Sequence, residues 1–163
     1  MNLPRLRPLH ALVLATLVAS ALPAPVRAER PAAVIYDEKA DASAEIAAAL
    51  ATAKAADKRV LLQFGANWCP WCHKLHQLFR TDTSIAAELE RSYVVVLVDV
   101  NKGHNKDVDL RYGEPTKQGL PVLVVLDAAG APLTTQETGA LEDGPAHDPQ
   151  KVLAFLREWA PAR

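Results

Sequence analysis

In Phe64-Gly65-Ala66-Asn67-Trp68-Cys69-Pro70-Trp71-Cys72-His73-Lys74 two periodicities meet, and the chain's topology turns on that junction. Before it, Arg59 to Phe64 with its run Val60-Leu61-Leu62 reads as a short buried strand, which Gly65, Ala66 and Asn67 break. After it, Leu75, Leu78 and Phe79 fall at helical spacing while Lys74, Gln77 and Arg80 face the other way, which predicts an amphipathic helix ending near Thr81. The two cysteines therefore stand where a strand gives way to a helix. Pro70 suits the first helical position, where its missing N–H would have had no partner, so Cys69 becomes the cap. A thiolate at a helix mouth faces unpaired backbone N–H groups and the positive end of the helix dipole, which favours the charged sulfur and lowers its pKa. Cys72 comes one turn later on the same side, within reach of Cys69 without backbone movement, and is expected to be the more buried of the two. The chemistry that follows is attack by Cys69 on a substrate disulfide and release of the resulting mixed disulfide by Cys72, or the reverse.

Working outward, Asp41 to about Ala56 is alanine-rich with Ile46 and Leu50 four apart, and Asp41 or Ser43 can cap it, so a helix is expected. Residues 29–40 carry no period and read as a tail. Thr83 or Ser84 opens a short helix through Leu89, and Tyr93 to Val98 is a β-branched strand buried on both faces. Residues 101–119 are long and polar, with Gly103, Gly113 and Pro115 and one helical turn around Val108 to Tyr112. Val122–Leu126, a turn at Asp127–Gly130 and Pro132–Thr138 form a hairpin. Asp148 caps a last helix, with Pro149 at its first position and Val152, Phe155, Leu156 and Trp159 along one face. Tyr36, Phe155 and Trp159 read as packing residues. A strand-helix-strand unit favours a parallel pair and the hairpin adds antiparallel strands, so the prediction is a three-layer α/β sandwich, a mixed central sheet with helices on both faces.

The 163 residues suffice for one ordinary domain, and 50% hydrophobic with 23% charged residues is a globular composition. Eighteen basic residues against nineteen acidic ones, scattered along the chain, leave no basic footprint for nucleic acid. With Cys69 and Cys72 the only cysteines, a disulfide scaffold and an all-cysteine zinc site are both excluded. Residues 1–28 combine Arg5 and Arg7, an apolar run from Ala11 to Leu22, and Val26-Arg27-Ala28, the order of a secretory signal peptide, with cleavage expected after Ala28. That run falls short of the roughly 20 residues a membrane-spanning helix needs, so an uncleaved anchor is the weaker reading. Export to an oxidising space, most simply a bacterial periplasm, makes a neighbouring cysteine pair a matter of chemistry, since so short a loop constrains the unfolded chain little.

With these residues in place, the sequence resembles the thioredoxin superfamily over roughly Lys58 to Trp159. Trp68-Cys69-Pro70-Trp71-Cys72 is similar to that family's tryptophan and active-site pair after the first core strand. Gly119-Leu120-Pro121-Val122 is similar to its cis-proline landmark, and Glu137-Thr138-Gly139-Ala140 to its glycine after the last strand. The resemblance implies a thioredoxin-like domain over residues 41–163 and a thiol-disulfide oxidoreductase with Cys69 attacking and Cys72 resolving. It further implies that Leu120, Pro121 and Gly139 meet an extended substrate chain, with Trp68 and Pro121 supporting the pair; Pro70 and Trp71 between the thiols are read as tuning it, and Trp71 either as an apolar substrate contact or as partly buried against the sheet. Where thioredoxins proper carry a buried aspartate, this chain has Gln63, expected to supply hydrogen bonding behind Cys72. Partners would be protein thiols or disulfides, with a membrane electron donor or acceptor. No cofactor or metal is required, because the dithiol itself stores two electrons.

Three rivals use the same residues. Cys69 to His73 also spells a c-type haem attachment signature, but the only methionine available as an axial ligand is Met1. Cys69, Cys72 and His76 share a helix face at metal-ligand spacing, though three ligands from one helix rarely close a site. A non-catalytic, chaperone-like binding module on the same fold leaves the retention of both thiols without a purpose. His73 and His76 read most simply as solvated rim residues, with His73 a candidate source of local positive charge.

Overall fold

The computed structural model describes residues 34–162, so the predicted signal peptide lies outside the described residues. At the centre is a four-stranded sheet in the order β2-β1-β3-β4, built from β1 (Arg59–Gly65), β2 (Tyr93–Asp99), β3 (Val122–Leu126) and β4 (Pro132–Glu137). β1 and β2 run parallel from Arg59 opposite Tyr93 to Gly65 opposite Asp99. That pairing needs a crossover, supplied by α2 (Pro70–Thr81) and α3 (Thr83–Ser92). β3 lies antiparallel to both β1 and β4, every residue of it buried, as its continuous Val/Leu run requires. The turn between β3 and β4 is closed by the Asp127 carboxylate, which accepts from the Ala129 and Ala131 N–H groups at 2.9 Å each.

Period-two alternation sends the strand residues to opposite faces. Val60, Leu62, Phe64, Val96, Val98, Val122 and Val124 pack under α1 (Ala42–Ala56) through Ala42, Ile46, Ala49 and Ala53. Leu61, Leu123 and Val125 pack on the other face against Leu75 and Phe79 of α2, Ile85 and Leu89 of α3, and Val152, Phe155 and Leu156 of α5 (Pro149–Glu158). The expected α/β sandwich with helices on both faces is therefore what forms.

The elements also differ from expectation in places, each for a local reason. α3 continues three residues past Leu89 because Ser92 Oγ donates to the buried Glu88 carboxylate at 2.6 Å and Arg91 pairs with the same group. Asp82 serves both flanking helices. Its N–H closes the end of α2 on the Leu78 carbonyl, and its carboxylate caps α3 by accepting from Ser84 and Ile85. The 101–119 segment is structured through much of its length, with α4 (Lys106–Arg111) between two 3-10 turns at Asn101–Gly103 and Pro115–Gln118. A second, two-stranded sheet of β5 (Glu142–Asp143) and β6 (Ala146–His147) turns through Gly144, at φ 59°, a conformation that suits glycine. Residues 34–40, expected as the end of a tail, instead fold onto the sheet and bury Tyr36 completely.

Candidate active site

Cys69 caps α2 with extended backbone (φ −85°, ψ 108°) and Pro70 follows at the first helical position. The Cys72 N–H donates to Cys69 Sγ at 3.2 Å, so an otherwise orphaned helix N–H is satisfied by sulfur. The two Cα atoms are 5.3 Å apart and the side chains are joined as a disulfide. Cys69 keeps 4% of its surface accessible and Cys72 none, the asymmetry expected of an attacking and a resolving sulfur. Across the site, the Leu120 carbonyl oxygen lies 3.7 Å from Cys69 Sγ, the Leu120–Pro121 bond is cis, and Pro121 is buried. Thr138 Oγ1 donates to the Pro121 carbonyl and so ties the turn after β4 to this wall. Gly139 sits in that turn, exposed, with its N–H held by the Glu137 carboxylate at 2.6 Å.

The two tryptophans go different ways. Trp68, expected to pack beside the pair, is 65% exposed, and its indole N–H donates to Asn101 Oδ1 at 3.1 Å, so it joins the helix mouth to the 101–119 segment at the surface. Trp71 is half-buried, with the Lys74 ammonium 4.0 Å from its ring centroid and His147 meeting it edge-on at 5.2 Å. Lys74 also donates to the Pro145 carbonyl, which docks the β5–β6 hairpin against α2. Both ring nitrogens of His147 are buried without a hydrogen-bond partner among the described residues, and burial, then the Lys74 charge, hold its pKa below the usual histidine value. His73 Nε2 donates to the Asn67 carbonyl at 2.6 Å, and so binds the strand-to-helix loop. Burial, with Arg80 and His73 nearby, also lowers the His76 pKa. Among the described residues no three His, Cys, Asp or Glu side chains converge as a metal-holding group.

Behind Cys72 the sheet surface is made by Gln63 and Gly65 of β1, both buried. The Gln63 side-chain amide donates to the Tyr36 hydroxyl at 2.7 Å. A Cβ on Gly65 would come within 2.2 Å of the Tyr36 hydroxyl oxygen and 2.7 Å of Cys72 Sγ, so glycine is what lets phenol and sulfur share this space. Burial raises the Tyr36 pKa well above the phenol range, with the Gln63 hydrogen bond opposing and the Asp99 charge adding to the shift. The segment carrying Tyr36 is clamped by Asn67, whose Oδ1 accepts from the Ile35 and Tyr36 N–H groups at 2.9 Å each and whose Nδ2 donates to the Tyr36 carbonyl at 2.9 Å. Asp99, fully buried at the end of β2, accepts from His104 Nδ1 at 3.0 Å and from the Asn101 N–H at 3.2 Å through Oδ2.

Sequence reasoning placed Cys69, Cys72, Pro121 and Gln63 at this site and missed Tyr36, Asn67 and Asp99 as parts of it. In the sequence Asn67 reads only as a strand breaker and Tyr36 only as packing. A helix-capping cysteine pair beside a cis-proline, on a mixed sheet covered by helices, defines the class of thioredoxin-fold thiol-disulfide oxidoreductases. The chain belongs to the thioredoxin-like family, whose sequence profile matches residues 41–128. It is 32% identical over 102 residues to the thiol:disulfide interchange protein DsbD of Vibrio vulnificus strain CMCP6; the match takes in 62% of this chain and only 17% of that protein. Its fold is shared with a disulphide isomerase from Xylella fastidiosa Temecula1, at TM-score 0.70 and 33% identity, over 77% of this chain and 96% of the other. A thioredoxin from Thermus thermophilus superposes at TM-score 0.52 and 26% identity, over 69% of this chain and 81% of the other.

Proposed function

We propose that this protein is an exported oxidoreductase that reduces disulfides in protein substrates, drawing its electrons from a membrane-bound donor. The observation that carries the reading is the placement of Cys69 Sγ, held by the Cys72 N–H at the mouth of α2 and facing the Leu120 carbonyl. An extended substrate chain laid along the Leu120–Pro121 edge would bring its disulfide to the exposed side of Cys69. The Cys69 thiolate attacks one substrate sulfur and expels the other, and Cys72 then attacks Cys69 Sγ, closing the protein disulfide and releasing the second substrate thiol.

The reducing direction is supported by what stabilises Cys69. A strongly oxidising pair needs a heavily stabilised thiolate in the reduced form. Here the imidazole that follows the pair, His73, is turned to the Asn67 carbonyl, so the helix terminus and one N–H act on the sulfur without it. Similarity to the DsbD protein and to the disulphide isomerase supports substrates that are protein thiols or disulfides. Export is supported by the order of charges and apolar residues over 1–28. No helix among the described residues is long and apolar enough to cross a membrane.

Insulin reduction by the protein with a chemical electron donor tests the activity, and equilibration with glutathione buffers tests its direction. Cys72→Ser is expected to accumulate mixed disulfides through Cys69, and Cys69→Ser to capture nothing. Unchanged insulin reduction in both variants would overturn the reading.

A further inference from the structure

The resolving thiol poses a problem of proton disposal. Cys72 is fully buried, yet it must lose its proton to attack Cys69 Sγ, and the β1 side chain behind it, Gln63, is an amide that neither takes up nor releases a proton near neutrality. We propose that Tyr36 is a further catalytic residue for this step, its hydroxyl relaying the Cys72 proton to the buried carboxylate of Asp99. This rests on the dithiol reading above.

Three observations place the relay. The Tyr36 oxygen and Cys72 Sγ crowd the same point, the missing Cβ of Gly65. The Gln63 amide occupies one lone pair of that oxygen, leaving the second to accept from Cys72 and the phenol's own O–H to donate. Asp99 is the in-register parallel neighbour of Gly65, so its side chain leaves the sheet on the same face, about 4.8 Å along the hydrogen-bonding direction. Its Oδ1 is buried with no hydrogen-bond partner among the described residues, while Oδ2 is held by His104, which is part-exposed. The groups that face the phenol are Gln63 and Gly65 from β1, Cys72 from α2, and Leu97 and Asp99 from β2. Asn67 holds its backbone, and Asp37 and Glu38 on its own segment are exposed.

Cys72 S–H passes its proton to the Tyr36 oxygen while Tyr36 O–H passes its own to Asp99, so the phenol stays neutral throughout. The Cys72 sulfur forms a bond to Cys69 Sγ as the bond from Cys69 to the substrate sulfur breaks, and the electron pair leaves with the substrate thiolate. The two cysteines are oxidised, the substrate is reduced, and the proton stays on Asp99 until re-reduction of the pair returns it through Tyr36 to Cys72.

The test follows both half-reactions separately. Reduced protein is mixed with oxidised glutathione, and the glutathione–Cys69 mixed disulfide is quantified by acid quench and mass spectrometry as it forms and decays between pH 5 and 9. Tyr36→Phe, which keeps the ring, is expected to leave formation within about twofold, slow the decay by about tenfold or more at pH 7, and move the decay's pH midpoint upward. Asp99→Asn should move the decay the same way and carries the test if Tyr36→Phe does not fold. Decay in a folded Tyr36→Phe at the original rate, or slowed equally at every pH, overturns the relay. Failure of the unaltered protein to resolve the mixed disulfide would instead overturn the dithiol reading itself, so the two failures are distinguishable.

Discussion

The side-chain amide of Gln63 donates to the hydroxyl of Tyr36 at 2.7 Å, joining the first core strand to a segment more than twenty residues upstream, directly behind the resolving cysteine. The bond gives the buried Gln63 amide N–H a partner, while the amide oxygen has none among the described residues, and it fixes the phenol against Cys72. The redox pair is therefore set from both sides, by a helix terminus in front and by a clamped aromatic behind.

Gly65→Ala is the sharpest test of that packing. Its new methyl would enter the space of the Tyr36 hydroxyl and Cys72 Sγ, both buried and neither at the end of a flexible chain. Thermal or urea denaturation is expected to show a loss of about 1–3 kcal/mol. A variant as stable as the parent would contradict the close approach.

Asn67→Ala removes the acceptor of two backbone N–H groups and the donor to the Tyr36 carbonyl. Hydrogen exchange at Ile35 and Tyr36 should become fast while the sheet amides of β1 and β3 stay protected, with a stability loss of about 1–3 kcal/mol. Unchanged protection at residues 35 and 36 would show that the aromatic ring alone holds the segment.

His147 gives a pH signature. Its folded pKa is held below the unfolded value of 6.5, so between the two the unfolded chain binds more protons and stability rises with pH. The contribution is fully present above about 6.5 and is lost as pH falls through the depressed folded value. His147→Phe retains an edge-on partner for Trp71 and should flatten part of this slope in melts from pH 4 to 8; His76, shifted in the same direction, contributes to what is left. An unaltered slope in the variant would contradict the assignment.

Trp71→Ala loses both the Lys74 cation over the ring and the His147 edge contact. The expected effect is about 1–2 kcal/mol of stability, with faster exchange confined to the β5–β6 hairpin that these contacts dock. Exchange that is unchanged there would mean that the Lys74 bond to Pro145 and the Lys151 bond to the Glu142 carbonyl hold the hairpin without the ring.

Much of the fold could be read from local pattern because local pattern is what forms it. The Val60-Leu61-Leu62 and Tyr93 to Val98 runs became adjacent parallel strands, and the Cys69-Pro70 boundary set the cysteine geometry. The missed features depend on long-range partners that no periodicity encodes. Tyr36 is an ordinary apolar-looking residue until Gly65, far along the chain, leaves a gap for its hydroxyl. Asn67 shows its clamp only once residues 35 and 36 lie beside it. Trp68 reads as packing beside the cysteine pair, but its position at the helix mouth puts it at the surface, where Asn101 accepts from its N–H. The β5–β6 hairpin did carry a local sign, Asp143-Gly144, too short to stand out without the strands it joins.

The central claim is that the α2 terminus holds the Cys69 sulfur as a ready thiolate. Thiolate absorbance near 240 nm, titrated in the fully reduced protein with Cys72→Ser to isolate the single sulfur, measures this directly. Cys69 is expected to ionise below the value of about 8.5 for a free cysteine. Ionisation at or above that value would contradict it.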